Sequence, residues 1–180
     1  MHRIEAYVSL AIIFILMISV LYLPILFVLR RKGKSVIRQM SYIGFVCSVF
    51  IIVFATILFV PITFRPESYI LNLNPLDWLK NENNIQQSIV EKIPNIMLFI
   101  PFGFFAPTVF NSKRKLCKTL LIAFIATFGV EFFQYFIGRS ADIVDVITNL
   151  FGAVIGYGIF MMSDKIFKSA KWWNELISNH

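Results

Sequence analysis

The sequence is poor in charge and in the residues on which many enzyme active sites depend. Only 15% of its 180 residues are charged, against about 25% in an ordinary soluble domain, and 58% are hydrophobic. Its two histidines are His2 and His180, so no Ser-His-Asp or Cys-His arrangement is available. A Cys/His metal-binding spacing, a P-loop and a dinucleotide-binding glycine fingerprint are also missing. The high hydrophobic content and the low charge exclude the soluble, disordered and fibrous classes and leave an integral membrane protein.

Cysteine is scarce as well, and the charge is unbalanced. Cys47 and Cys117 fall near predicted helix ends on the predicted cytoplasmic side, where thiols stay reduced, so we expect no disulfide framework. The net charge is +7. The basic residues cluster between apolar runs, which is typical of a topology signal, and we expect no nucleic-acid partner.

Five apolar runs are long enough to cross a bilayer, which takes about 20 residues. The predicted spans are 8–29, 42–62, 93–110, 119–138 and 142–162. A polar stretch, 63–92, separates the second span from the third and is too small to be a domain. The predicted fold is therefore all-α, a polytopic bundle of five transmembrane helices in one membrane domain covering residues 1–180.

Basic residues predict the orientation of this bundle. Most of them lie in 30–38, in 113–118 and in the tail after Ser163, and the positive-inside rule places these segments in the cytoplasm. The N-terminus is then outside, the C-terminus inside and loop 63–92 extracytoplasmic. We expect the tail to form an interfacial helix with Trp172 and Trp173 at headgroup level.

The third run contains three prolines, so a re-entrant loop is the alternative to a full span. That loop would put residues 113–118 outside and break the charge rule, and we therefore favour the span. Pro101 and Gly103 are expected to shape this helix rather than touch a ligand. Its aromatic residues are expected to face lipid; they are Phe99, Phe102, Phe104 and Phe105.

Polar side chains in the last two spans share helix faces. Glu131 and Gln134 are three residues apart, and Asp142, Asp145 and Asn149 follow at i, i+3 and i+7. A rise of about 1.5 Å per residue places them in the outer half of the membrane, where they could converge on one pocket. The same stripe continues through Gly152-x-x-x-Gly156, a spacing that allows close helix approach. The candidate pocket residues are Asn95, Glu131, Gln134, Arg139, Asp142, Asp145 and Asn149.

The pocket has more acid than base, because three carboxylates oppose the single Arg139. A charge near the membrane centre costs at least about 2.5–3.5 kcal/mol, so such groups pair, protonate or bind a cation. Lys92 or Arg65 could supply a second positive charge. Alternatively, an all-oxygen set could hold Mg, Ca or Mn, and its candidate ligands are Glu131, Asp142 and Asp145.

A purely structural interpretation is also open at this point. Asp142 would cap the fifth helix and pair with Arg139. Glu131 and Gln134 would then only form hydrogen bonds to neighbouring helices.

Two blocks of the sequence resemble motifs of the VanZ-like family. Residues 95–104 resemble its N-x-x-x-F-x-P-x-G-F motif. The second motif is similar to Glu131-x-x-Gln134, Gly138-Arg139, Asp142, Asp145, Asn149 and Gly152-x-x-x-Gly156. The match covers about 90–160, with both motifs in the expected order. The resemblance implies a small multi-pass protein of the bacterial cytoplasmic membrane that lowers susceptibility to teicoplanin, a lipid-tailed glycopeptide antibiotic. It supplies no catalytic residues, so the motif positions are candidates because of their chemistry.

Three functions remain open for the pocket. In the first, it binds a lipid-linked cell-wall precursor or the lipoglycopeptide in the outer leaflet, without catalysis. In the second, an enzyme acts on a lipid head group or lipid phosphate, with Glu131 or Asp145 as general base or metal ligand and Arg139 holding phosphate. In the third, a transporter or flippase uses Glu131 to couple proton movement, and a homodimer supplies further helices.

Overall fold

The computed structural model describes residues 2–31, 33, 35–58, 70–76, 85–110 and 115–177. Within them, a π-helical turn, Phe54–Leu58, directly follows the α-helix Val36–Val53. Two short strands, β1 (Leu71–Asn72) and β2 (Ala141–Asp142), pair in parallel, with Leu71 opposite Ala141. The α-helices are α1 His2–Arg31, α2 Val36–Val53, α3 Ile85–Val109, α4 Lys115–Phe136, α5 Ile143–Phe167 and α6 Lys171–Ile177.

In the part of the chain that the structure describes, four helical segments are long and apolar enough to cross a membrane. They are Val36–Ile57, Lys92–Val109, Leu116–Phe136 and Ile143–Phe167. The chain is thus a multi-pass membrane protein, and these segments correspond to the second to fifth predicted spans. The first predicted span, 8–29, lies within the long helix α1. Its crossing of the membrane, the total of five spans and the orientation stay predictions.

The helices extend beyond the apolar runs that predicted them. Helix α2 begins at Val36 rather than at 42, because Ser35 caps it and its Oγ accepts a hydrogen bond from the backbone N–H of Arg38 at 3.4 Å. Helix α3 begins at Ile85, within the stretch predicted to be a polar loop. Hydropathy marks the lipid-facing part of a helix and misses its polar turns. Cys47 consequently lies within α2, where it is buried, and not near a helix end.

Helices α3 and α5 form the centre of the bundle. Helix α3 is continuous through Pro94, Pro101 and Pro107. The third apolar run is therefore one helix rather than a re-entrant loop. A side chain at Gly103 would overlap the backbone of Ala153 in α5. In the other direction, side chains at Gly152 and Gly156 would overlap backbone atoms of α3, those of Ile96 and Ile100. The two backbones approach this closely because glycine has no side chain.

Aromatic side chains fill the space around this pair. Phe99 and Phe102 are buried, so the expectation that they face lipid is wrong. The ring of Phe102 packs against Phe45 of α2, with centroids 5.2 Å apart. They point inward because α2 and α4 cover α3 on that side. Helix α1 is joined to α2 by a hydrogen bond of 2.7 Å from the Tyr22 hydroxyl to Gln39 Oε1.

Helix α6 packs against the opposite end of the bundle from β1 and β2. Trp173 is only 2% exposed, and its ring lies 6.0 Å from that of Phe160. Its indole N–H donates to Asp164 Oδ1 at 2.8 Å. Trp172 is exposed. Trp173 therefore packs into the protein, where its indole N–H finds a partner, and the headgroup level of the two tryptophans stays a prediction.

Candidate functional site

The site begins at the N-terminus of α5. Asp142 is the N-cap of this helix, and its Oδ1 accepts a hydrogen bond from the backbone N–H of Val144 at 2.8 Å. Asp145 lies in the first turn, where the helix dipole favours a negative charge. Strand β2 fixes the approach, since the Ala141 N–H donates to the carbonyl of Ile70 at 2.9 Å. The predicted capping role of Asp142 is therefore seen in the structure.

Lys92 of α3 supplies a positive charge to both aspartates. Its Nζ lies 2.6 Å from Asp145 Oδ1 and 3.3 Å from Asp142 Oδ2. The three side chains are about one-fifth exposed. The expected pairing of Asp142 with Arg139 is replaced by this contact, because the first turns of α5 face α3. We call these three residues the lysine–aspartate cluster; Arg65, the other basic candidate, lies outside the described residues.

Glu131 adjoins the cluster from α4. Its side chain is buried, and its Oε2 accepts a hydrogen bond from the backbone N–H of Asp142 at 3.1 Å. Asp145, Asp142 and Arg139 interact with it electrostatically. Glu131 also lines a largely apolar pocket of about 300 Å³, together with Leu71, Phe128, Phe132, Tyr135, Phe136 and Ala141. A buried carboxylate thus adjoins an aromatic pocket, which we call the Glu131 pocket.

Gln134 and Arg139 are directed towards α2 instead. Gln134 Nε2 and Arg139 Nη1 each donate to the carbonyl oxygen of Thr56 at 3.1 Å. Thr56 lies in the π-helical turn at the end of α2, a type of distortion that is frequent at functional sites. Gln134 therefore joins the last turns of α4 to α2, and Arg139 joins the loop after α4 to α2.

Each asparagine lies about one helical turn from a residue of the charged cluster, but neither forms a hydrogen bond with it. Asn149 is buried, and its Nδ2 donates to Thr127 Oγ1 of α4 at 2.7 Å. Asn95 is half-buried on α3 and makes no side-chain hydrogen bond to the residues described. Asn149 thus links α5 to α4, whereas the side-chain amide of Asn95 has no hydrogen-bond partner among the described residues.

The carboxylates do not form a divalent-cation site. Among the described residues, no group of three His, Cys, Asp or Glu side chains could hold a metal ion. The ammonium group of Lys92 contacts both aspartates, while Glu131 accepts a backbone N–H at its Oε2. The donor set therefore does not fit the metal for which Glu131, Asp142 and Asp145 were candidate ligands, because a lysine supplies the countercharge.

Two residues of this region carry no recognisable sequence signal. Thr56 contributes only its backbone carbonyl, which no side-chain pattern reveals. Threonine is unremarkable in a membrane helix, so the type of residue at Thr127 is no signal, and only its position four residues before Glu131 relates it to the site. The excess of acid predicted Lys92 or Arg65 as the countercharge, and the structure places Lys92 there.

Comparison with known proteins covers most of this region. The family model described as VanZ/LLP1 matches residues 45–167, from α2 to the end of α5. Protein VanZ of Enterococcus faecium is 28% identical over 140 residues, which is 77% of this chain and 82% of that protein. No solved structure matches the chain. Because the matched residues make up more than half of its length and contain the whole candidate site, the chain belongs to the VanZ/LLP1 family.

Proposed function

We propose that this protein lowers bacterial susceptibility to teicoplanin-type lipoglycopeptides from the cytoplasmic membrane. Its site would bind or remodel a lipid-linked component of the cell envelope. The observation that carries this proposal is the position of the lysine–aspartate cluster beside the Glu131 pocket, where α3, α4 and α5 meet. In the predicted topology, with α1 as the first of five spans, this end of the bundle faces the outside.

The chemistry of the site suits an amphiphile. Phe128, Phe132 and Phe136 provide apolar walls, and such surfaces favour a hydrocarbon chain or an aromatic group. Lys92 and the two aspartates provide charged donors and acceptors within reach of water, since they are about one-fifth exposed. Cell-wall precursors with lipid anchors and lipid-tailed antibiotics both combine these two characters.

The proposal is tested by teicoplanin susceptibility in a sensitive host. Wild type is compared with Lys92→Met, Glu131→Gln and Asp145→Asn at matched membrane abundance. Asp164→Asn is the control, because this carboxylate lies at the other end of α5 and contacts Trp173. We expect wild type and the control to raise the inhibitory concentration at least fourfold and the site variants to lose most of that protection. Absence of protection by wild type, or full protection by all three site variants, would overturn the proposal.

A glycopeptide without a lipid tail provides the second arm of this experiment. If the Glu131 pocket recognises an amphiphile, protection should be smaller against the tail-free compound than against teicoplanin. Equal protection against both would mean that the apolar pocket plays no part in recognition.

Glu131 favours catalysis on a lipid head group as the second candidate function. It is a buried carboxylate that lines the pocket, as a general acid or base would. Thin-layer analysis of membrane lipids after expression of wild type and Glu131→Gln distinguishes binding from catalysis. An altered lipid that appears with wild type alone would favour the enzyme, and identical lipids with intact protection would favour binding.

A further inference from the structure

A second apolar groove lies between α4 and α2. Its volume is about 400 Å³, within the range of small-molecule pockets. Val49 to Ile57 of α2 and its π-helical turn form one wall, Ile125 to Phe133 of α4 form the other, and Phe102 of α3 forms the floor. With a rise of about 1.5 Å per residue, both walls run for about 12 Å along the bundle. The groove is therefore an elongated channel parallel to the membrane-spanning helices.

A positive charge lies at one end of this groove. Ile57 directly follows Thr56, whose carbonyl oxygen accepts a hydrogen bond from Arg139 Nη1. Phe133 directly precedes Gln134, which donates to the same carbonyl. The guanidinium group of Arg139 therefore adjoins the point where both walls end.

Arg139 retains donors for a ligand. Its described hydrogen bond uses one guanidinium nitrogen. Arg139 makes no ion pair with the residues that the structure describes. The Glu131 carboxylate accepts the Asp142 N–H instead, and both aspartates are paired with Lys92. An arginine fork matches the oxygens of a phosphate group. The membrane-spanning part of α4 ends at Phe136, so Arg139 falls at the level of lipid headgroups.

Gly129 keeps the middle of the groove open. A side chain added there would meet no atom within 4 Å, in contrast to Gly103, Gly152 and Gly156, where the bundle needs the missing side chain for helix contact. A methyl group at Gly129 therefore has room, and we expect a larger side chain there to extend into the groove.

We propose that this groove holds the hydrocarbon chain of a phosphate-bearing membrane lipid, and that Arg139 binds the phosphate. A guanidinium group at headgroup level is complementary in charge to a phosphate, and the apolar groove beside it is complementary to a hydrocarbon chain. A lipid with a phosphate headgroup combines the two. The proposal rests on the proposed function for the idea that the ligand is a lipid-linked component. It deepens that function by naming the chemistry of the lipid and the place of its hydrocarbon chain. It adds a lipid-binding groove separate from the Glu131 pocket, on the α2 side of α4.

The test uses phosphatidic acid with a photoreactive diazirine in its acyl chain, and the matching uncharged diacylglycerol. The full-length protein is purified in detergent, labelled by light and digested. We expect phosphatidic acid to label peptides within 45–58 and 119–138 at least fivefold more than diacylglycerol does. Gly129→Leu should lower this labelling at least fivefold. Gly158→Leu is the matched control, because Gly158 of α5 is also open and lies outside the groove, and it should label as wild type does.

Arg139→Gln tests the phosphate contact. It should reduce the preference for phosphatidic acid over diacylglycerol to about one, whereas Arg139→Lys should keep part of it because the charge remains. If Gly129→Leu is not recovered as folded protein by size-exclusion chromatography, the more flexible Gly129→Met replaces it. Equal labelling by the two lipids in wild type, or undiminished labelling of the folded Gly129 variant, would overturn the proposal.

The two proposals can fail separately. Groove labelling that depends on Gly129 and Arg139, in a protein that gives no teicoplanin protection, would defeat the proposed function and leave the lipid groove standing. The opposite outcome is teicoplanin protection that is lost in Glu131→Gln but unchanged in Gly129→Leu, together with unselective labelling. It would defeat the lipid groove and leave the proposed function standing.

Discussion

The ammonium group of Lys92 lies 2.6 Å from Asp145 Oδ1 and joins α3 to α5 at the end of the bundle that carries the candidate site. The same group lies 3.3 Å from Asp142 Oδ2, so one cation serves both aspartates. Glu131 and Arg139 are each held by a backbone group of another segment. Among the described residues, the site therefore combines an ion-pair cluster with two further ionisable side chains that form no ion pair.

Removing Lys92 should destabilise the bundle. Lys92→Met leaves two aspartates without a countercharge, and because the side chains are partly exposed we expect a loss of about 1–2 kcal/mol, below the 3–5 kcal/mol of a fully buried pair. The measurement is reversible unfolding in SDS-containing mixed micelles. In a double-mutant cycle with Asp145→Asn, a coupling energy near zero would show that the contact does not contribute to stability.

The glycines at the contact between α3 and α5 should tolerate no side chain. Gly152→Ala places a methyl group against the carbonyl of Ile96, so the helices must separate, and we expect a loss of about 2 kcal/mol or more in the same unfolding measurement. Gly158→Ala on the same helix meets open space and should be neutral or stabilising by up to about 1 kcal/mol. Equal effects of the two substitutions would contradict the close approach of α3 and α5.

The sequence allowed the helices and much of the site to be predicted, because both depend on local patterns. Apolar runs marked the spans, and the spacing of Asp142, Asp145 and Asn149 placed them on one face of α5. Lys92 was one of two basic candidates, since an excess of acid in a membrane requires a countercharge. What the pattern could not provide was which of these residues meet.

The partners of Gln134, Arg139 and Asp142 could not be predicted from the sequence, because they lie on distant segments. The carbonyl of Thr56 attracts Gln134 and Arg139 across the bundle, and a backbone oxygen has no side-chain signature. Asp142 and Arg139 are close in sequence, yet their partners lie on α3 and on α2. Proximity along the chain therefore suggested a pair that the packing of the helices does not form.

Arg38 should hold the C-terminal helix in place. It is only 5% exposed; its guanidinium group donates to the carbonyl of Thr108 at the end of α3 and, at 2.7 Å, to that of Leu176 in α6. Arg38→Gln would remove the guanidinium donor from the Thr108 carbonyl and leave the Leu176 carbonyl with only the Ser41 hydroxyl. We therefore expect α6 to detach more often and endoproteinase Lys-C to cleave at Lys171 at least threefold faster. Arg31→Gln is the control, because Arg31 is exposed and lies over the ring of Phe27. Cleavage at the same rate in both variants would show that Arg38 does not anchor α6.

The orientation of the bundle can be decided with its own cysteines. Cys117 is exposed at the start of α4, whereas Cys47 is buried in α2. With the C-terminus inside, a membrane-impermeant maleimide should leave Cys117 unlabelled in intact cells and label it after permeabilisation, while Cys47 should react only after denaturation. Asn74→Cys in a Cys117→Ser background supplies the opposite signal, because Asn74 is exposed beside β1 at the site end and should label in intact cells. Labelling of Cys117 alone in intact cells would place the lysine–aspartate cluster on the cytoplasmic side, and no outer-leaflet ligand could then reach it.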